Sequence, residues 1–133
     1  MILVDANVLM YAAGAAHPHK GPSVAFLERV AGGEEEAAID AEVLQEILHR
    51  YRALGRWETG RLVYDLARCV FPLVIPITAA VVDRARSLLD DHRHLAARDA
   101  LHAAVVLTGG LEGICSWDRD FDAIPGLARR EPG

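Results

Sequence analysis

The chain reads as an α/β fold, with a short, mostly parallel central sheet of four to five strands flanked by helices. Three observations predict it. Short apolar runs without alternation recur at residues 2–4, 37–39, 73–75 and 114–116, as expected of strands buried on both faces. The longer segments between them carry apolar residues at helical spacing. Capping residues and Gly or Pro stops punctuate the joins, and helices between short strands imply parallel pairing through right-handed crossovers.

The elements follow in order. Residues 2–4 form the first strand. Asn7 is placed to cap a short helical segment at 8–13. Residues 17–22, His-Pro-His-Lys-Gly-Pro, read as a loop, after which Ser23 caps a helix with Val24, Leu27 and Val30 on one face. Gly32-Gly33 stops it before the second strand at 37–39. Asp40 caps the next helix, whose apolar side is Val43, Leu44, Ile47, Leu48 and Tyr51, and Gly55 ends it. A helix over 59–69 offers Leu62, Val63, Leu66 and Val70 as its core stripe. A third strand at 73–75 closes at Pro76. Thr78 caps a helix over about 79–91 with Val81, Val82, Ala85, Leu88 and Leu89 inward. An Ala-rich helix over 97–108 ends at Gly109-Gly110. The fourth strand at 114–116 leads into an acidic turn, Asp118-Arg119-Asp120-Phe121-Asp122, and a Pro/Gly-rich tail.

With 133 residues, 52% hydrophobic and 25% charged, the whole chain, 1–133, is expected to fold as one globular domain with a substantial core. No apolar run approaches bilayer-spanning length. The start Met1-Ile2-Leu3-Val4-Asp5 has no basic leader, so a cytoplasmic location is expected. Cys69 and Cys115 lack metal or redox spacing and are expected as buried, reduced thiols. The net charge of −5 argues against direct nucleic-acid affinity unless acids concentrated in a site are offset by metal. The only lysine is Lys20; every other base is arginine.

Four widely spaced carboxylates carry the chemistry. Asp5 directly follows the first strand, and Asp118 the run ending Ser116-Trp117. Ligands of parallel sheets bind beyond the carboxyl ends of the strands, so these two acids can face one crevice. Glu46 lies in an otherwise apolar helical stretch, with Glu42 one turn before it as a rival. Asp99 opens a helix, where the dipole favours an acid. Carboxylates sharing a cleft repel unless a cation separates them, and a hard divalent metal is the usual solution. His102, one turn beyond Asp99, and the crowded Asp120 and Asp122 have no role that sequence alone assigns. His17-x-His19 and His92-x-His94 look like zinc pairs, but no partner ligands stand at suitable spacing, and they read as loop histidines.

Four fragments together carry a resemblance. Asp5-Ala6-Asn7, Gln45-Glu46-Ile47-Leu48, Arg98-Asp99-Ala100-Leu101-His102-Ala103-Ala104 and Ser116-Trp117-Asp118-Arg119-Asp120-Phe121-Asp122 resemble, in order and spacing, the PIN-domain ribonucleases, closest to the VapC-type toxins of toxin–antitoxin pairs. The resemblance implies a PIN-like domain and an Mg²⁺- or Mn²⁺-dependent endoribonuclease. Asp5, Glu46, Asp99 and Asp118 are its acidic quartet of metal ligands. Asn7 and Ser116 support that quartet, and Arg98 and Arg119 are placed to hold RNA phosphates or to pair with the acids. It further implies a homodimer silenced by a VapB-type antitoxin, with operator DNA bound only through the antitoxin, and no membrane association. Asp40 departs from many members of the family, which have Ser or Thr there, but all three can cap a helix. The alternatives are an RNA-processing PIN nuclease outside a toxin–antitoxin pair and a catalytically silent PIN-like partner-binding module. A haloacid-dehalogenase-type phosphatase needs an Asp where this chain has Asn7, and a receiver domain needs a lysine late in the chain.

Overall fold

A computed structural model describes residues 1–133. Five short parallel strands, β1 (Ile2–Val4), β2 (Ala37–Asp40), β3 (Val74–Ile75), β4 (Ile114–Cys115) and β5 (Arg129–Arg130), lie in the order β3-β2-β1-β4-β5. The connections are α-helical: α1 (Ala6–Ala13) and α2 (Lys20–Ala31), then α3 (Ala41–Ala53) and α4 (Trp57–Val70), then α5 (Ala79–Asp91) and α6 (Ala97–Gly109). A 3₁₀ turn, Arg119–Ala123, precedes β5.

The pleat divides the core between two faces. On central β1, Ile2 and Val4 point into a cluster with Ile39 of β2, with Val8, Phe26, Ile47 and Val63 of α1 to α4, and with Phe71 just beyond α4. Leu3 points the other way, joining Ile114, Ala85, Leu88, Ala103, Val106 and Phe121 around α5 and α6. All three residues of β1 are buried, which is why the strand reads as an unbroken apolar run. From β1 the chain adds β2 and β3 outward on one side, then crosses back to place β4 on the other. That reversal opens a crevice beyond the carboxyl ends of β1 and β4.

Asp40 and Thr78 cap α3 and α5 as the sequence predicts, accepting from the backbone N–H of Val43 at 3.0 Å and Val81 at 3.3 Å. Several expectations change. Helix α1 starts at Ala6, so Asn7 lies inside it and caps nothing; its amide turns toward Ser116 and Trp117 instead. Helix α2 starts at Lys20, inside the stretch read as a loop, and Ser23 is buried within it, accepting from Trp117 Nε1 at 2.9 Å rather than capping. Helix α4 begins at Trp57, and its buried residues are Gly60, Val63 and Ala67, while Leu62 and Leu66 stay exposed. Leu48 and Val82 are exposed too, because each lies at the margin of its helix's apolar stripe. Strand β3 excludes Leu73, which is exposed, and β4 ends before Ser116. Cys69 is exposed on α4, whereas Cys115 is buried in β4 and its thiol is pushed up to about 12 by burial. The tail contains β5, an edge strand of two arginines, too short and polar to give an apolar signal. Its close approach requires Gly113, where a Cβ would collide with the Ala128 carbonyl oxygen.

Candidate active site

Each acid reaches the crevice by its own element. Asp5 stands between β1 and α1, its backbone N–H donating to the Cys115 carbonyl at 3.0 Å. The strand pairing therefore holds it beside β4. Glu46 projects from the second turn of α3, Asp99 from the first turn of α6, and Asp118 leads into the 3₁₀ turn. With Asn7, Glu42 and Arg98 they line one open cleft of about 790 Å³. The structure thus gathers four acids that are up to 113 residues apart in sequence (5 to 118).

Beneath the cleft, Ser116 is a buried node. Its hydroxyl donates to Asp5 Oδ2 at 2.6 Å and accepts from Asn7 Nδ2 at 3.1 Å and from the Asp118 backbone N–H at 3.0 Å. One hydroxyl donates once and accepts twice, so Ser116 ties Asp5 to the Asp118 backbone. Asp118 Oδ1 accepts from the Asp120 backbone N–H at 2.9 Å, which leaves its other oxygen for the cleft. Asp120 is exposed, and Asp122 is drawn away from the cleft by Arg129, whose Nε and Nη2 reach its two oxygens at 2.8 and 3.2 Å. Arg129 Nη1 also donates to the Ser116 carbonyl at 3.0 Å, bracing the loop that carries Asp118.

His102 is fully buried under the acids. Its Nδ1 lies 2.7 Å from Asp40 Oδ2, its Nε2 3.1 Å from Glu46 Oε1 and 3.8 Å from Asp5 Oδ1. Burial opposes charge on the ring, but the hydrogen bonds to Asp40 and Glu46 outweigh it and hold the imidazole well above its ordinary value. Asp40 accordingly does two jobs: Oδ1 caps α3 while Oδ2 holds His102. This pairing was missed from sequence, although Asp40 ends an apolar run as Asp5 does, and that shared pattern was the available signal. Arg98 Nε lies 3.8 Å from Glu46, a partly exposed ion pair. Arg119 is exposed and makes no salt bridge.

The acids feel one another. Asp99 is pushed up to about 7, first by burial, then by the charges of Asp5 and Asp118. Asp5 is raised by burial, against the pull of His102 and Ser116. Glu42 is raised by burial and by neighbouring Glu46. The donor atoms of Asp5, Glu46 and His102 fall within 4.8 Å of one another. His102 already has both ring nitrogens engaged, so the open donors are carboxylate oxygens, the set a hard divalent cation takes. The residues fit such an ion.

The sequence model described as the PIN domain matches residues 2–127. Ribonuclease VapC13 of Mycobacterium tuberculosis is 45% identical over 129 residues, 97% of this chain and 98% of that protein, and a VapC ribonuclease of Mycobacterium bovis matches equally. The chain belongs to the PIN-domain family, among the VapC ribonucleases. Ribonuclease VapC23 of Mycobacterium tuberculosis is a more distant VapC relative, 38% identical over 89% of this chain and 93% of its own. The VapC fold is also evident by structure. The Mycobacterium tuberculosis toxin VapC20, described as cleaving the sarcin–ricin loop, superposes with a TM-score of 0.79 at 19% identity, covering 99% of this chain and 100% of its own. VapBC2 of Rickettsia felis, solved with a fragment of its promoter DNA, gives 0.77 at 19% identity over 98% of each chain.

Proposed function

We propose that the chain, acting as a single PIN domain over residues 1–133, is a divalent-metal-dependent endoribonuclease and the toxin of a toxin–antitoxin pair. The observation that carries this reading is the convergence of Asp5, Glu46, Asp99 and Asp118 on one cleft at the sheet's reversal point. Asp5, Asp99 and Asp118 would hold one ion, and Glu46 would complete a second position or orient a water. Bound there, Mg²⁺ or Mn²⁺ supplies Lewis acidity for in-line displacement at phosphorus.

The chain's own groups set that chemistry up. Ser116, itself held by Asn7, fixes the rotamer of Asp5. The Asp40–His102 pair holds Glu46 against the floor of the cleft. Arg98 and Arg119 stand beside two of the acids and can take phosphate oxygens in fork geometry. The reading extends to a homodimer and to a VapB-type antitoxin that covers the cleft; a further structural neighbour, from Klebsiella pneumoniae (TM-score 0.67, 19% identity), is a toxin–antitoxin complex. Leu62, 71% exposed, and Leu66 on α4 supply apolar surface for such partners. Operator DNA would be bound by the antitoxin, not by a chain of net charge −5. No helix is long and apolar enough to cross a membrane, and a cytoplasmic setting suits RNA as substrate.

The test is cleavage of a mixed RNA pool by antitoxin-free protein with Mg²⁺, with Mn²⁺ and with EDTA. Cutting is expected only with metal. Asp5→Asn and Asp118→Asn should slow it by roughly 100-fold or more, the scale of losing an electrostatic stabiliser of the transition state. Asp120→Asn should be far milder. A folded Asp5→Asn protein that cuts at the parent rate would overturn the reading.

A further inference from the structure

Beside the cleft, four rings pack together that the acidic chemistry does not use. His19 stacks on Trp117 with ring centroids 3.7 Å apart and planes 9° from parallel. Tyr11 meets His17 at 4.7 Å and the edge of His19 at 4.9 Å, and lies 6.4 Å from Trp117. The group joins directly to the site: Tyr11 lines the same cleft as Asp5 and Asp118, and Trp117 immediately precedes Asp118.

We propose that Tyr11, His17, His19 and Trp117 form a stacking platform for unpaired RNA bases flanking the scissile phosphate, an inference that rests on the ribonuclease reading above. The rings are held rather than loose. Trp117 Nε1 donates to buried Ser23, and its backbone N–H reaches Asn7 Oδ1 at 3.4 Å. His17 Nδ1 accepts from the His19 backbone N–H at 3.0 Å, and Lys20 closes the loop by donating to the Gly14 carbonyl. Pre-organised rings bind without an added ordering cost. The cluster is also open. His17 is exposed, and Tyr11, His19 and Trp117 are only half-buried, whereas rings serving the core alone, such as Phe26 and Phe121, are fully buried.

A metal does not account for the pair of histidines. Neither His17 nor His19 belongs to a group of three metal-capable side chains, and His17 Nδ1 is already spent on the backbone. Stacking also answers the charge problem. A chain of net charge −5 repels the phosphate backbone overall, while every base presents a π-face that aromatic rings bind independently of charge. Sequence-specific RNA recognition targets splayed, single-stranded bases of this kind.

Trp57 and Trp117 are the only tryptophans, so Trp57→Phe makes Trp117 the sole reporter. With Asp5→Asn added to stop turnover, the protein is titrated with a fluorescently labelled single-stranded oligoadenylate and with an abasic strand of equal length, in Mg²⁺. Label anisotropy reads binding, and Trp117 emission reads stacking. The adenylate strand is expected to bind more tightly than the abasic strand and to quench Trp117. His17→Ala, which removes an exposed ring, should weaken adenylate binding about tenfold, the scale of one lost stacking contact. His17→Phe should restore binding, and neither change should move the abasic affinity. Equal affinity and equal quenching by the two strands, or unchanged binding by both His17→Ala and Tyr11→Ala, would overturn the platform while metal-dependent cutting kept the ribonuclease reading. A parent protein that neither binds nor cuts RNA overturns both.

Discussion

Asp40 serves a helix and a histidine with one side chain. Its Oδ1 caps α3 and its Oδ2 holds buried His102, whose other nitrogen faces Glu46. The two contributions can be separated by substitution. Asp40→Ser should keep the cap but leave the imidazole without its carboxylate, a loss of about 1–3 kcal/mol for an unsatisfied buried donor. Asp40→Ala should lose the cap as well, a further ~0.5–2 kcal/mol. Urea unfolding of the two variants reads the difference. Equal losses would mean that the cap contributes nothing. At this scale the sequence was partly legible. Asp5 and Asp118 stood out because an acid after an apolar run seldom serves packing. Asp40 stood in the same position after β2 but read as a cap alone, because its second partner lies 62 residues away.

Among the elements, α4 shows where periodicity misleads. Leu62 and Leu66 sit at helical spacing beside Val63 and read as one stripe. Yet the face that packs on α3 is built from Gly60, Val63 and Ala67. Small residues let the two helices approach closely: a Cβ at Gly60 would stand 2.6 Å from Tyr51 Cβ. Gly60→Ala should therefore force α3 and α4 apart. The expected cost is ~1–3 kcal/mol of stability, as for overpacking, despite the better helix propensity of alanine. Because Tyr51 and Glu46 share α3 and both line the cleft, metal affinity should weaken in the same variant. A Gly60→Ala protein as stable as the parent in urea would show that the helices can separate freely. Strand β5 escaped notice for a different reason. Two arginines at a sheet edge carry no apolar pattern, and only backbone pairing to β4 makes them a strand.

Across the whole molecule, the site is a store of unfavourable charge. Asp99, raised from 3.8 to about 7 by burial and by Asp5 and Asp118, binds protons more tightly folded than unfolded. Asp5 and His102 are raised as well. For each of these groups the folded state holds more protons, so the stability of the metal-free protein falls as pH rises. The Asp99 contribution declines between 3.8 and about 7; that of His102 is complete below its ordinary 6.5 and is lost above it. Asp122, lowered by Arg129, acts in the opposite sense but only below its ordinary 3.8, outside this window. Melting in EDTA should thus occur at a higher temperature near about pH 5.5 than near about pH 8. Added Mg²⁺ should stabilise more at the higher pH, since it competes with protons for the same oxygens and favours the folded state by mass action. A melting temperature in EDTA that is flat or rises over that range would remove the charge-store account.

The sequence by itself determined the layered α/β architecture, because buried parallel strands and amphipathic helices carry unlike apolar periods that local residues encode. It also determined the four acids as candidates, through their places after strands and on helices. Only the tertiary structure decided that these acids share one cleft, since their meeting depends on the chain crossing back from β3 to set β4 beside β1. The tertiary structure likewise decided which apolar positions of α4 face solvent, that His102 sits between Asp40 and Glu46, and that two loop histidines join Tyr11 and Trp117. Those outcomes depend on contacts between residues far apart in sequence, and local pattern holds no record of them.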